Sequence, residues 1–355
     1  MPYPIVTGRG VAEQLPALLR ADCSAHQYAI VADHKVAELH GARLMTLLTG
    51  AGLTVRLFTF PSGEWNKTRE QWSSLTDQLL AAGLGRDSAV IAFGGGVSGD
   101  LAGFVAATYL RGIPYVHLPT TLLAMIDSSI GRKTGVDVPA GKNLVGAFHQ
   151  PRVVVADIDY LATLPRAQMA SGVAEAIKHG VIRDAAYFAS LEDARPILAR
   201  ELGPLEALVR RSIEIKTAVV AADEREVGMR AILNFGHTVG HAVEALSGFD
   251  LLHGEAVAIG MATEARIAEA SGIASDGLHR AIVAMLERYA LPTAIPDSLS
   301  TASILDAMLS DKKSREGRVR FALPTMIGRM AQSDDGAWTV EVDAQVLREC
   351  LEADS

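Results

Sequence analysis

Two histidines four residues apart, His237 and His241, occupy the segment NFGHTVGH, with Asn234 three residues ahead of the first. On a helix this spacing places all three on one face. A second segment, GVAEAIKHG, sets Glu175, Lys178 and His179 at i, i+3 and i+4 of another helical pattern, and a third, LLHGEAVAIG, puts His253 at a predicted helix start. Two imidazoles and one carboxylate form a recognised donor set for a catalytic divalent cation, because they fix the ion and leave a position open for substrate. His237 and His241 are spaced like the histidines of a zinc-protease helix, but the glutamate base between them is absent, which argues against peptide hydrolysis.

Phosphate chemistry is signalled separately. The run SAVIAF leads into GGGVSGD at 94–100 and then into an apolar helical pattern. A strand, a glycine turn and a helix start let backbone N–H groups approach a pyrophosphate, although the same glycines also serve tight packing. Asp100 there suits a ribose or amide contact, or a helix-start acid. Residues 117–150 thread Thr120, Thr121, Asp127, Ser128, Ser129, Lys133, Lys142 and Asn143 through apolar and glycine positions. Clustered polar groups of this kind suit a phosphate cradle; the alternative is a surface hairpin with solvated lysines. Of 33 basic residues only eight are lysine, so where lysine replaces the prevailing arginine a compact ammonium is a candidate requirement.

The elements that must carry these groups fall into two blocks. The runs 28–33, 54–60, 88–96, 115–119 and 152–157 read as buried parallel strands, with helical patterns near 36–51, 68–83 and 98–109 between them. This alternation predicts an α/β, Rossmann-like domain over residues 1–164. Helical periodicity then dominates near 166–180, 204–222, 232–247, 254–272 and 276–290, with strands expected only at 318–324 and 339–342. A mainly α-helical domain over 165–355 follows. The chain is 355 residues long, 49% hydrophobic and 21% charged, with a net charge of −8, so a broad basic field for nucleic acid is not expected. No run approaches the roughly 20 apolar residues of a membrane helix. The start MPYPIVTGRG lacks the pattern of a signal peptide, and two distant cysteines, Cys23 and Cys350, fit a reducing cytoplasm.

From about Asp33 to Leu323 the chain resembles the 3-dehydroquinate synthases. The likeness is carried by GGGVSGDLAGFVAATYLRG, LPTTLLAMIDSSIGRKTGVD, GKNLVGAFHQP, GVAEAIKHG, RAILNFGHTVGHAVE and LLHGEAVAIGM in that order. The resemblance implies tightly held NAD, one divalent metal (zinc or cobalt), a small sugar phosphate substrate and a cytoplasmic homodimer. By position it implies Glu175, His237 and His253 as metal ligands. It implies Asp127, Lys178, Lys216, Arg230 and Asn234 as substrate contacts, with Lys216 and Arg230 on a carboxylate. Lys133, Asn143 and His241 would meet phosphate, Arg111 the partner subunit's phosphate site, and Lys312, chosen over Lys313, a further substrate group. Asp33, Glu64, Lys67, Gly95, Gly96, Asp100, Thr120, Thr121, Lys142 and Thr163 would contact NAD. The implied reaction eliminates phosphate from 3-deoxy-D-arabino-heptulosonate 7-phosphate and closes a carbocycle, with NAD regenerated in each turnover.

One departure stands out. Where the family carries Gly-Gly-Lys this chain has Gly131-Arg132-Lys133; if position 132 takes a positive φ, arginine there costs on the order of 1 kcal/mol or more, and alternatively its guanidinium adds a phosphate contact. Two other activities compete with the implied one. A sister sugar phosphate cyclase acting on a substrate without a carboxylate would waste Lys216, Arg230 and Asn234. A metal-dependent polyol dehydrogenase would release NADH and would not need the lysine-rich phosphate pocket.

Overall fold

Near-continuous apolar runs such as YAIVA and AVIAF have no polar face to offer water, so they belong in the middle of a sheet covered on both sides. The computed structural model, which describes residues 3–248, 250–311 and 319–353, places them there. Its eight N-terminal strands are β1 (Ile5–Gly8), β2 (Tyr28–Asp33), β3 (Val55–Phe60), β4 (Ala89–Gly94), β5 (Tyr115–Pro119), β6 (Lys133–Val138), β7 (Gly141–Phe148) and β8 (Val154–Asp157). Six form a parallel sheet in the order β1-β8-β5-β4-β2-β3, and β6 pairs antiparallel with β7 as a separate hairpin. From β2 the chain steps outward to β3, then returns past β2 to β4 and continues to β5. The direction of winding therefore reverses between β2 and β4, whose carboxyl ends are Asp33 and Gly94. In a doubly wound sheet this switch point is where a crevice opens for a ligand.

The five anticipated strands occur within one or two residues of their expected bounds. The short edge strand β1 was not anticipated, and β6–β7 is the hairpin given as the alternative for residues 117–150. The helix Gly96–Thr108 packs on β4 and seats Leu101, Ala102, Val105 and Ala106 in a core with Val31, Val90, Ala92 and Phe60. On β5, His117 is 5% exposed; a Cβ on Gly99 would come within 2.8 Å of its ring. Burial pushes its pKa down to about 4.

Clustering of contacts divides the chain into two compact units. One comprises Met1–Leu164 and Leu205–Ile213, and the other Pro165–Pro204 and Glu214–Ser355. The short stretch grouped with the first unit lies inside the helix Leu202–Ala222. In the second unit the helices His237–Leu246, His253–Ala270, Thr301–Asp311 and Ala344–Ala353 line a core that includes Val239, Val243, Ile259, Ile267, Ile304, Leu351 and Phe321, while Arg166–Arg183 and Leu278–Arg288 pack against His253–Ala270. The expected strand 318–324 is represented by Arg320–Phe321, paired with Val340–Glu341, and by Pro324–Met326.

Two glycines allow the second unit's helices to meet backbone to backbone. A Cβ on Gly254 would run into the carbonyl oxygen of Ser171 and lie 2.5 Å from its Cα; Gly254 N–H donates to Ser171 Oγ at 3.0 Å. A Cβ on Gly260 would overlap Gly236 O and lie 2.8 Å from Gly240 N. Ala at either position must force the helices apart.

Two measurements check this packing. Gly254→Ala should lose about 2–3 kcal/mol, a fall of roughly 5–10 °C in thermal midpoint. Gly50→Ala, where a Cβ would meet nothing within 4 Å, should not fall at all. For His117 the sign follows from its depressed pKa. Between pH 6.5 and about 4 the unfolded chain holds the extra proton, so its contribution is complete above pH 6.5 and is lost as pH falls. At pH 5 the wild type should have lost about 2 kcal/mol more, relative to pH 7.5, than His117→Leu, measured by urea unfolding.

Candidate active site

In the first unit, side chains gather at the carboxyl ends of the strands. Asp33 closes β2; its Oδ1 accepts from Lys35 N at 3.0 Å, Val36 N at 3.2 Å and Ser62 Oγ at 2.7 Å. Its Oδ2 accepts from Ser98 Oγ at 3.2 Å, which ties Asp33 to the helix that follows the glycine turn. Gly95 caps that helix and Gly96 begins it. A Cβ on Gly95 would lie 3.1 Å from Thr121, and one on Gly96 would lie 3.3 Å from Ser128 Oγ, so the turn keeps its backbone bare. Thr120 N–H donates to Gly94 O at 2.8 Å, and Thr121 Oγ1 accepts from Ala124 N at 3.1 Å, opening the turn Ala124–Ser128 that carries Asp127.

A second cluster surrounds Lys67, which is 3% exposed. Its Nζ lies 2.9 Å from Asn143 Oδ1, 3.0 Å from Glu64 Oε1, 3.4 Å from Asp100 Oδ2 and 3.5 Å from Asp137 Oδ1. Burial works against the ammonium, but Asp100, Glu64 and Asp137 outweigh it and hold its pKa above the usual lysine range. Asp100 is pushed up to about 6 by burial, against the pull of Lys67. Lys142 Nζ adds a contact of 3.4 Å to Glu64 Oε1. Asp137 also accepts the backbone N–H of Asn143 at 2.8 Å, fixing a turn in which Asn143 has φ 57°.

Thus five of the residues expected at NAD (Asp33, Gly95, Gly96, Thr120 and Thr121) lie at the strand ends. Glu64, Lys67, Asp100 and Lys142 join the lysine cluster. Thr163 is bound elsewhere, to His40 Nε2 at 2.9 Å and Tyr160 O at 3.1 Å. Lys133 is exposed at the start of β6, so the stretch 133–148 is a hairpin. Arg111 is exposed with φ 70°. Arg132 has φ 65°, the left-handed conformation that glycine tolerates best, and its Nη1 lies 3.5 Å from Gln150 Oε1.

The second unit brings together the groups suited to a cation. Glu175 is fully buried on the helix Arg166–Arg183. His237 Nε2 and His253 Nε2 each lie 3.7 Å from Glu175 Oε1, and Lys178 Nζ makes a close ion pair with Oε2. With Oε2 paired to Lys178, Oε1 accepts no hydrogen bond among the described residues. A buried carboxylate in that condition, facing two imidazole nitrogens, fits a bound cation; the three ligand atoms lie within 4.8 Å of one another. His237 Nδ1 faces Phe235 O at 3.1 Å, which directs Nε2 toward Glu175. Burial, then the charge of Lys178, hold the pKa of His237 well below the ordinary value, leaving it neutral as a ligand must be.

The helix His237–Leu246 is anchored by Glu264, a fully buried carboxylate that accepts Gly236 N–H at 2.7 Å and Val239 N–H at 3.0 Å. An acid at a helix N-terminus is favourable with these otherwise unsatisfied donors. Just upstream, the turn Met229–Asn234 carries Arg230, 2% exposed, and Asn234. Asp223 shapes this turn by accepting Gly228 N–H at 2.7 Å and Arg230 N–H at 3.1 Å, while Arg230 Nη1 donates to Glu224 O at 2.9 Å. Lys216 is 6% exposed. His241 stacks edge-on to His237 with centroids 5.1 Å apart. Lys312 lies outside the described residues. Asp137, Glu244 and Glu264 were not singled out from sequence; only Glu244, seven residues after His237 on the same helical face, left a signal in the spacing.

The comparisons with known proteins agree along most of the chain. The family model described as the 3-dehydroquinate synthase N-terminal region matches residues 57–171, and the C-terminal one matches residues 172–314. The curated 3-dehydroquinate synthase of Symbiobacterium thermophilum is 50% identical over 336 residues, 94% of each chain. Among solved structures, 2-deoxy-scyllo-inosose synthase, complexed with carbaglucose-6-phosphate, NAD+ and Co2+, superposes with a TM-score of 0.90 at 28% identity. It covers 99% of this chain and 96% of its own. The 2-epi-5-epi-valiolone synthase of Streptomyces hygroscopicus, with NAD+ and Zn2+ bound, gives 0.90 at 29% identity and the same coverage. With both halves matched by the family's models and a relative half identical over nearly the whole length, the chain belongs to the 3-dehydroquinate synthase family.

Proposed function

We propose that the chain converts 3-deoxy-D-arabino-heptulosonate 7-phosphate into 3-dehydroquinate and phosphate, a carbon–oxygen lyase reaction that also closes a ring. The observation that carries this reading is the buried Glu175 carboxylate facing His237 and His253. When bound, a divalent metal at Glu175, His237 and His253 supplies a Lewis acid for adjacent substrate hydroxyls, and NAD at the β2–β4 switch point supplies a hydride acceptor restored within the turnover.

The chain's own residues do the rest by placement. Lys216 and Arg230 are both buried cations, and an anionic carboxylate of the substrate is the group that matches their charge. Asn234, on the same turn as Arg230, contributes a neutral hydrogen-bonding group beside them. Lys178 balances Glu175 and offers its remaining N–H donors to a substrate hydroxyl. Asp127, on its turn, is assigned to substrate as well. Lys133, Asn143 and His241 are assigned to the phosphate, with Arg111 reaching the phosphate site of a partner subunit in a homodimer. The exposure of Arg111 supports that role, because a guanidinium at the surface is available to a second chain. The switch-point residues Asp33, Gly95, Gly96, Thr120 and Thr121 and the cluster around Lys67 hold NAD, and Thr163 is assigned there too. On this reading residues 1–164 form the NAD-binding domain and 165–355 the metal- and substrate-binding domain. A cytoplasmic setting fits the two buried cysteines, Cys23 and Cys350.

Substrates without a carboxylate are disfavoured because they offer no anion to Lys216 and Arg230. The test supplies the heptulosonate phosphate with a divalent metal and NAD+ well below the enzyme concentration times turnovers. Many equivalents of phosphate and dehydroquinate per NAD are expected, and Arg230→Lys should raise KM at least tenfold. Stoichiometric NADH would instead establish a dehydrogenase. Turnover confined to a carboxylate-free heptulose phosphate would establish a sister cyclase.

A further inference from the structure

His253 is addressed from both sides of its ring. Nε2 lies 3.7 Å from Glu175 Oε1, and Nδ1 lies 3.6 Å from Glu244 Oε2. His237 is oriented differently, through Nδ1 and the backbone oxygen of Phe235 at 3.1 Å. The side chain of His253 is 29% exposed, so burial alone does not lock its ring, whereas that of Glu244 is 4% exposed. A carboxylate at that depth is costly, and an apolar residue would pack the same helical face without the cost. Glu244 sits on the helix His237–Leu246, three residues after His241. Its neighbours on that face are therefore imidazoles, and its charge is directed at them.

We propose that Glu244 is a positioning residue of the metal centre, accepting the Nδ1 proton of His253 and so presenting Nε2 to a divalent cation shared with Glu175 and His237. This rests on the metal-centre reading given above. As it stands the separation exceeds a hydrogen bond by roughly 0.5 Å, within reach of a small rotation of the ring. A carboxylate partner does more than a carbonyl would: it fixes the tautomer, raises the basicity of the ligating nitrogen and offsets part of the dication's charge. The alternative use of Glu244 is as a ligand itself, since ligand atoms of His241, Glu244 and His253 also lie within 4.8 Å of one another.

Cobalt binding to the full-length, metal-free chain separates these roles. Co2+ is titrated against a competing chelator while the visible d–d absorption is recorded, for wild type and Glu244→Gln. The expected result is one Co2+ per chain in both, the same band envelope, a 10- to 100-fold weaker affinity in the variant and an unchanged thermal midpoint of the metal-free protein. Affinity within twofold of wild type, or an altered envelope that marks Glu244 as a ligand, overturns the proposal. Should Glu244→Gln disturb the metal-free fold, Glu244→Asp, which keeps the charge and shortens its reach by one methylene, is read by the same criteria. Failure of the wild type to bind Co2+ would overturn the metal centre itself, a distinct outcome.

Discussion

Glu175 places a carboxylate where no water reaches it, on a helix whose faces are buried along nearly their whole length. Lys178, one turn on, balances one oxygen; the other faces the nitrogens of His237 and His253. Leaving a charge in that setting is expensive unless it is paired, and the arrangement becomes favourable when a cation completes it. The geometry that permits it depends on helix backbones meeting without intervening side chains. Gly254 lets the helix bearing His253 rest against Ser171, four residues before Glu175, and Gly260 lets it meet Gly236 and Gly240 on the His237 helix. Three candidate ligands from three separate segments thus converge because two of the contacts lack a Cβ.

The same logic of buried charge recurs in the first unit with the sign reversed. Lys67 is an ammonium enclosed by Glu64, Asp100 and Asp137, and the acids outnumber it. Burial raises Asp100 to about 6 against the pull of Lys67, and the neighbouring Glu64 adds to the rise. Asp137 couples this cluster to the hairpin by holding the turn at Asn143. Within this unit a reversal of winding between β2 and β4 is what places Asp33 beside the glycine turn.

Much of this was legible in the chain itself. β2, β4 and β5 announce themselves as apolar runs too continuous for a surface, and the helices around Glu175, His237 and His253 by their periodicity. The ligand types and spacings pointed to a cation, while the reaction required the family resemblance. What escaped reading did so for local reasons. IVTG is a four-residue edge strand with half-buried residues, and β6–β7, anticipated only as the alternative to a phosphate cradle, alternates lysine, aspartate and glycine in a way that loops also do. Glu264 looks like any helix-surface acid in MATEAR; its burial depends on the turn at Gly236, far away in sequence. Arg132 was the clearest conditional, and its φ of 65° shows that this chain carries a side chain where the backbone favours glycine.

The central claim is that Glu175, His237 and His253 together hold one divalent cation. X-ray absorption of the zinc-loaded protein addresses it directly. The account predicts one zinc per chain with two imidazoles and light-atom donors at roughly 2.0–2.1 Å, and loss of that zinc in Glu175→Gln. A sulfur ligand, a single imidazole, or full zinc occupancy retained by Glu175→Gln would contradict it.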